Sequence, residues 1–213
     1  VRIMKILSVY HNAKRTNLEL SVEQIVSDLE KNKKFFDAIT VNDLLDFFNQ
    51  VSVELSKKTR VGSLATNLKN FLKKDSLKKI INESIIGGVK SFEEPVRVGD
   101  KYLLTRPRGV VVQWLAGNVP LLGVFSIVLS ILVKNVTIAK APSKNYEELL
   151  RILQFFENVK TEKISGKDLC KTITIVIINS KDAKAHNAIS KVADARIAWG
   201  GKEAVEKITS YEK

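Results

Sequence analysis

The chain has 213 residues, 45% of them hydrophobic and 27% charged, with one cysteine and a formal net charge of +12. That length allows one large domain or two small ones, and the composition excludes a disordered or fibrous chain. Cys170 alone excludes an internal disulfide framework and suits a reducing cytoplasm; with only His11 and His186 beside it, a structural zinc site is not expected.

The opening Val1-Arg2-Ile3-Met4 lacks an initiator methionine at its first position, and the final Thr209-Ser210-Tyr211-Glu212-Lys213 carries no terminal motif. An incomplete reading frame is expected. The apolar run from Ile3 to Val9 is too short for a signal peptide and no small-residue cleavage site follows it.

The pattern of the whole first half, to about Ile86, predicts a helical, lysine-rich region. Ser21 with Gln24 resembles a capping box, and Val22, Ile25, Val26 and Leu29 follow at helical spacing. Thr40 caps a second helix carrying Val41, Leu44, Leu45, Phe48, Val51 and Leu55. Leu64, Leu68, Phe71 and Leu72 mark a third, and Leu77, Ile80 and Ile81 a fourth. Gly87-Gly88 closes the region. Lysines such as Lys31, Lys57, Lys58, Lys73 and Lys79 are spread over these helices without interleaved aromatics. They read as solvated faces, and no nucleic-acid partner is expected, although such a surface favours phosphates and other anions.

Residues 92–105 form a polar connection with short strands near 96–98 and 102–104. Residues 109–133 then hold 25 positions without a charge, long enough for a membrane helix. Their interior excludes that: Val110, Val111 and Val112 are β-branched and bounded by Pro107 and Gly109, which favours a buried strand. Ala116-Gly117-Asn118-Val119-Pro120 is a turn with proline placed to open a helix over 121–132. Further strands are expected at 137–140, 173–178 and 196–199, and helices near 145–158, 182–192 and from Gly201. Strands alternating with helices of this length form a parallel sheet. The expected division is a helical region over 1–90 packing on an α/β domain over 91–213.

Ligands of open parallel sheets sit beyond the carboxyl ends of the strands. Four loops occupy that edge, at 116–120, 141–144, 179–182 and 200–202, each joining small residues to a polar group at a helix start, where a phosphate is welcome. Neither a Gly-x-Gly-x-x-Gly nor a Walker motif occurs. The residues themselves predict an α/β domain that binds an anionic cofactor.

Val111-Val112-Gln113-Trp114-Leu115-Ala116-Gly117-Asn118-Val119-Pro120-Leu121 resembles the strand–turn–helix of LuxC-type acyl-CoA reductases, in the aldehyde dehydrogenase-like superfamily. Asp194-Ala195-Arg196-Ile197-Ala198-Trp199-Gly200-Gly201 resembles that family's Arg-Ile-Ala-Trp-Gly-Gly segment, and Ile138-Ala139-Lys140-Ala141-Pro142-Ser143 parallels the Leu-Lys-Pro-Ser-Glu strand end of dehydrogenases. The match covers 107–208 specifically and the helical front half loosely. The resemblance implies an aldehyde dehydrogenase-like Rossmann-type parallel sheet flanked by helices, and reduction of fatty acyl-CoA or another acyl thioester to an aldehyde through a cysteine thioester. It implies NADP(H) as cofactor, with NAD(H) as the alternative. Asn118 would stabilise the oxyanion. Lys140 would bond the adenosine ribose. Ser143 and Lys144 stand where many NAD enzymes hold a glutamate, and would accept a 2′-phosphate. Gly200 and Gly201 would pass under the cofactor phosphates. Trp199 packs the adenine side or fills the core. The acyl-accepting cysteine is expected downstream of this chain, which leaves Cys170 structural. A homo-oligomer or an acyl-transfer partner protein is compatible with the resemblance, as is a cytoplasmic location. The rival is a basic module binding nucleic acid or an acidic partner on a dehydrogenase-like scaffold.

Overall fold

The computed structural model describes residues 4–57, 63–117, 119–144 and 146–212. The chain begins with two strands, β1 (Lys5–His11) and β2 (Lys14–Ser21), joined by Asn12 and Ala13, both at positive φ (51° and 55°). Two left-handed residues in a two-residue loop match the right-handed twist of the strands they join. This corrects the expectation that the chain is helical from its start. The strand signal is weak because β2 is a half-exposed edge and because β1 finds its other partner far along the chain.

The helices follow as their caps dictate. The Ser21 hydroxyl accepts the Gln24 amide at the start of α1 (Val22–Lys33). Thr40 and Asp43 form a reciprocal capping box on α2 (Val41–Ser56). Helices α3 (Ser63–Phe71) and α4 (Lys74–Ser84) complete the front half, and Gly87, at φ 85°, turns the chain out of it. A small hairpin, β3 (Val96–Val98) with β4 (Lys101–Leu103), leads into the α/β part. There β5 (Val110–Trp114), α5 (Pro120–Leu132), β6 (Val136–Ala141), α6 (Tyr146–Glu157), α7 (Gly166–Cys170), β7 (Ile173–Ile177), α8 (Ala183–Lys191), β8 (Ala195–Ala198) and α9 (Lys202–Thr209) succeed one another.

The six-stranded sheet runs β2-β1-β7-β6-β5-β8. Strands β5 to β8 are parallel, as alternation with helices requires, and β1 joins them antiparallel through Leu7 opposite Ile177. Helices α5 and α6 cover one face, where Ser130 bonds Thr137 and Tyr10 bonds Glu157. Helices α1 and α8 cover the other, where His11 bonds Asp28 and Trp114 bonds His186.

The uncharged stretch is explained by layering. Helix α5 lies between the sheet and a second deck of α2 and α3, so it is apolar on all sides. Phe71 of α3 stacks on Phe125 of α5 with centroids 3.9 Å apart, and Phe48 of α2 meets Phe156 of α6 edge-on at 5.9 Å. Among the described residues no helix is long and apolar enough to cross a membrane. Several lysines of the front half pair with acids one turn away (Lys31 with Asp28, Lys57 with Glu54, Lys79 with Glu83), as solvated helix faces do.

Candidate functional site

The strand that opens the α/β half is fixed at its start by a glycine. Gly109 has φ 120°, and a Cβ there would collide with the Asp194 carboxylate, which accepts the Val110 amide at 2.7 Å. From that anchor β5 runs fully buried to Trp114, and the Leu115 amide then bonds the Lys140 carbonyl at 3.0 Å. The register sets Trp114 opposite Lys140 and Lys140 opposite Val176, which places all three on the α8 face.

Lys140 is half-buried within an otherwise buried strand, and desolvation holds its ammonium below the usual lysine range. It opens into a cleft of about 500 Å³ beyond the ends of β6 and β7. Gly117 forms one side. Ser143 and Lys144, both exposed, follow from β6, and Asn179 and Ser180 form the opposite wall after β7. Among the described residues no carboxylate lines this cleft. Lys207 of α9 donates to the Ser180 carbonyl at 2.7 Å and adds a cation at the rim. The arrangement can hold an anion through two lysines, two serines and an asparagine, in a volume typical of small-ligand sites.

Three of the expected site residues, Lys140, Ser143 and Lys144, are thus brought together. Trp199 is not with them. Its indole donates to Ser126 of α5 at 2.9 Å, on the opposite face of the sheet, where it borders an apolar groove of about 280 Å³ with Val111 and Ile197. Gly201 caps α9 and Gly200 precedes it; both are exposed, one strand away from Lys140 across β5, and neither lines the cleft. Asn118, and Asn145 at the expected start of α6, lie outside the described residues.

The walls are backed by a group that the sequence did not single out. His186 of α8 is buried, its Nδ1 accepts the Trp114 indole N–H at 3.0 Å, and its ring lies flat on Tyr211, 5.0 Å away and 3° from parallel. The Asn179 carbonyl near this ring accepts the Asp182 amide at 2.9 Å at the start of α8. Burial and the nearby Lys140 hold His186 below the usual imidazole range.

Two other polar groups resemble chemistry and are structural. Asp28, His11 and Thr174 stand in line at 3.0 and 2.8 Å, in the order of an acid–imidazole–hydroxyl relay, but Thr174 is fully buried and meets no substrate. Cys170 is also fully buried, with its Sγ facing the Leu153 carbonyl at 3.7 Å, and desolvation raises its thiol. A nucleophilic cysteine needs the reverse environment. Among the described residues no group of three or more acids, histidines or cysteines is placed to hold a metal.

A mostly parallel sheet flanked by helices, with its open cleft beyond the strand ends, is the fold of aldehyde dehydrogenases. The crystal structure of PnpE from Pseudomonas sp. WBC-3 is similar with a TM-score of 0.59 at 13% identity, covering 98% of this chain and 45% of that one. The NADP-dependent glyceraldehyde-3-phosphate dehydrogenase of Bacillus halodurans C-125, solved with NADP, gives 0.58 at 12% identity, covering 99% and 48%. Within that fold, the chain belongs to the family described as acyl-CoA reductase (LuxC), whose model matches residues 18–213. Curated relatives named long-chain acyl-protein thioester reductase include one from Aliivibrio fischeri, 28% identical over 200 residues, 92% of this chain and 41% of the relative. Another, long-chain acyl-protein thioester reductase 2 from Photobacterium leiognathi, is 28% identical over 196 residues, 91% of this chain and 40% of the relative. The chain therefore spans about two-fifths of the length of these relatives.

Proposed function

We propose that this chain supplies the NADP(H)-binding part of a reductase that converts fatty acyl thioesters to aldehydes. One observation carries the proposal: a carboxylate-free cleft, among the described residues, with half-buried Lys140 inside it, at the strand ends of a dehydrogenase fold.

The residues fit a phosphorylated dinucleotide. Lys140, inside the cleft, is suited to the ribose oxygens of the adenosine half. Ser143 and Lys144 replace an acid with a hydroxyl and a cation, which suits a 2′-phosphate and favours NADPH over NADH. Gly200 and Gly201 leave the amides at the start of α9 open to a diphosphate approaching from outside. When bound, the cofactor supplies the hydride that reduces the acyl group. Asn118 is proposed to donate its side-chain amide to the oxyanion formed when a thiol takes up the acyl group. Cys170, buried with a raised pKa, is not that thiol, and the acyl-accepting cysteine is then not among these 213 residues.

The test is a titration with NADPH and with NADH, following energy transfer from Trp114 and Trp199. Saturable binding that is tighter for NADPH, and about tenfold weaker in Lys140→Ala, is the expected outcome; a tenfold change corresponds to about 1.4 kcal/mol. No binding of either nucleotide at concentrations of about 1 mM, the weak end of ordinary ligand affinity, would overturn the proposal.

A further inference from the structure

The cleft's two walls come from segments that never pair as strands. Gly117 follows β5, whereas Asn179 and Ser180 follow β7, and β6 lies between them. One side chain ties the end of β5 to the helix that follows β7. The Trp114 indole N–H is a donor only, so His186 Nδ1 must be an unprotonated acceptor. The single proton of the neutral ring then sits on Nε2, and the helix that carries the ring starts where the Asn179 carbonyl accepts the Asp182 amide at 2.9 Å. Tyr211 closes the stack from outside and is itself fastened: Arg196 donates to its carbonyl at 2.9 Å, and the next amide, Glu212, donates to Asn187 at 3.1 Å. These bonds tie β5, β8 and the chain end to one another and to α8.

From this geometry we infer that His186 is the positioning residue of the cleft, and that its neutral ring, accepting from Trp114 at the end of β5 and carried on the helix that follows Asn179 and Ser180, holds the two sides of the cleft at the separation nucleotide binding requires. The inference rests on the nucleotide proposal above and adds the group on which affinity depends without touching the ligand. A second proton on the ring would have to occupy Nδ1. There it would face the indole N–H and break the bond to Trp114. The charged groups around the ring are Lys140 of β6 and Lys207 of α9, which oppose that proton, and Asp182 at the start of α8, which favours it; Tyr211 is the remaining titratable neighbour. Burial first, and then two lysines against one carboxylate, keep the ring neutral below the ordinary imidazole value.

Glutamine supplies the control, because its amide also pairs an accepting oxygen with a donating N–H. In nucleotide titrations of the chain, His186→Leu is expected to weaken NADPH binding about tenfold, the cost of leaving the buried Trp114 indole N–H unpaired. His186→Gln should stay within about threefold of the parent, and Trp114→Phe, which keeps the ring packing and removes the donor, should fall between them. Below the ordinary imidazole value of about 6.5 the parent should lose affinity, whereas His186→Gln should hold a nearly constant value, because it has no imidazole to protonate. Nucleotide binding by the parent that is unchanged in folded His186→Leu and Trp114→Phe overturns the positioning role alone. So does an acid loss that persists undiminished in His186→Gln, and should the leucine variant not fold, the glutamine and phenylalanine variants still decide the matter. Absence of NADPH binding by the parent at every pH overturns the nucleotide proposal and this inference with it.

Discussion

The two faces of the sheet are built for different work at the same edge. On the α5 side the covering is two helices deep, and the aromatic pairs Phe71–Phe125 and Phe48–Phe156 tie the second deck to the first. On the α8 side the covering is one helix deep beside the cleft and contains Lys140, His186 and Tyr211. Burying a lone ammonium and an imidazole costs free energy that an apolar layer would not. The thick face carries that cost, which leaves the thin face free to keep polar groups for a ligand.

Four substitutions or conditions separate these assignments, from the largest effect to the smallest. Phe48→Ala should cost about 3–5 kcal/mol in chemical denaturation, as other buried aromatic truncations do; a loss under about 1 kcal/mol would mean the second deck is not load-sharing with the sheet. Lys140→Ala should do the opposite, with NADPH affinity down about tenfold and the unfolding midpoint equal to or above the parent's, since a desolvated ammonium has been removed. Trp199→Phe should lose about 1 kcal/mol of stability with the Ser126 hydrogen bond and leave nucleotide affinity within about twofold. A large loss of affinity there would place the cofactor across the sheet edge and erase the distinction between the faces.

The smallest expected effect is a slope with pH. The folded-state pKa of His186 lies below its unfolded value, so the unfolded chain takes up its proton first as pH falls. Stability from this group is complete above the ordinary imidazole value of about 6.5 and declines as pH drops below it. Denaturation midpoints at several pH values should show that decline in the parent and lose it in His186→Gln.

The α/β half was legible because its signals are local. The helix predicted over 121–132 is Pro120–Leu132, and the buried strand predicted from Val110 is Val110–Trp114, since β-branched runs, a proline and a glycine mark their own ends. The β1–β2 hairpin was missed for the contrary reason. Tyr10 and Val9 are buried only because β7, more than 160 residues on, lies beside them, and nothing in residues 5–21 alternates cleanly enough to announce a strand. The same distance hid the stack behind the cleft, where Trp114 meets a histidine 72 positions away. Trp199 had two readings in the sequence. Its bond to Ser126 packs it against α5, while a role toward a cofactor remains for the titration above to decide.

The placement of β1 has a consequence for synthesis. Within residues 5–177 the hairpin is made before the rest of the sheet, and the side of β1 away from β2 has no neighbour until residues 173–177 have emerged. Unpaired edges invite pairing with the wrong chain, and charges along them discourage it. Lys14, Arg15 and Glu19 on β2 guard the outer side of the hairpin throughout that wait, but β1 has only Lys5. The nascent chain is therefore most exposed to misassembly between the emergence of β2 and that of β7, and a chaperone acting on this protein would be needed in that interval.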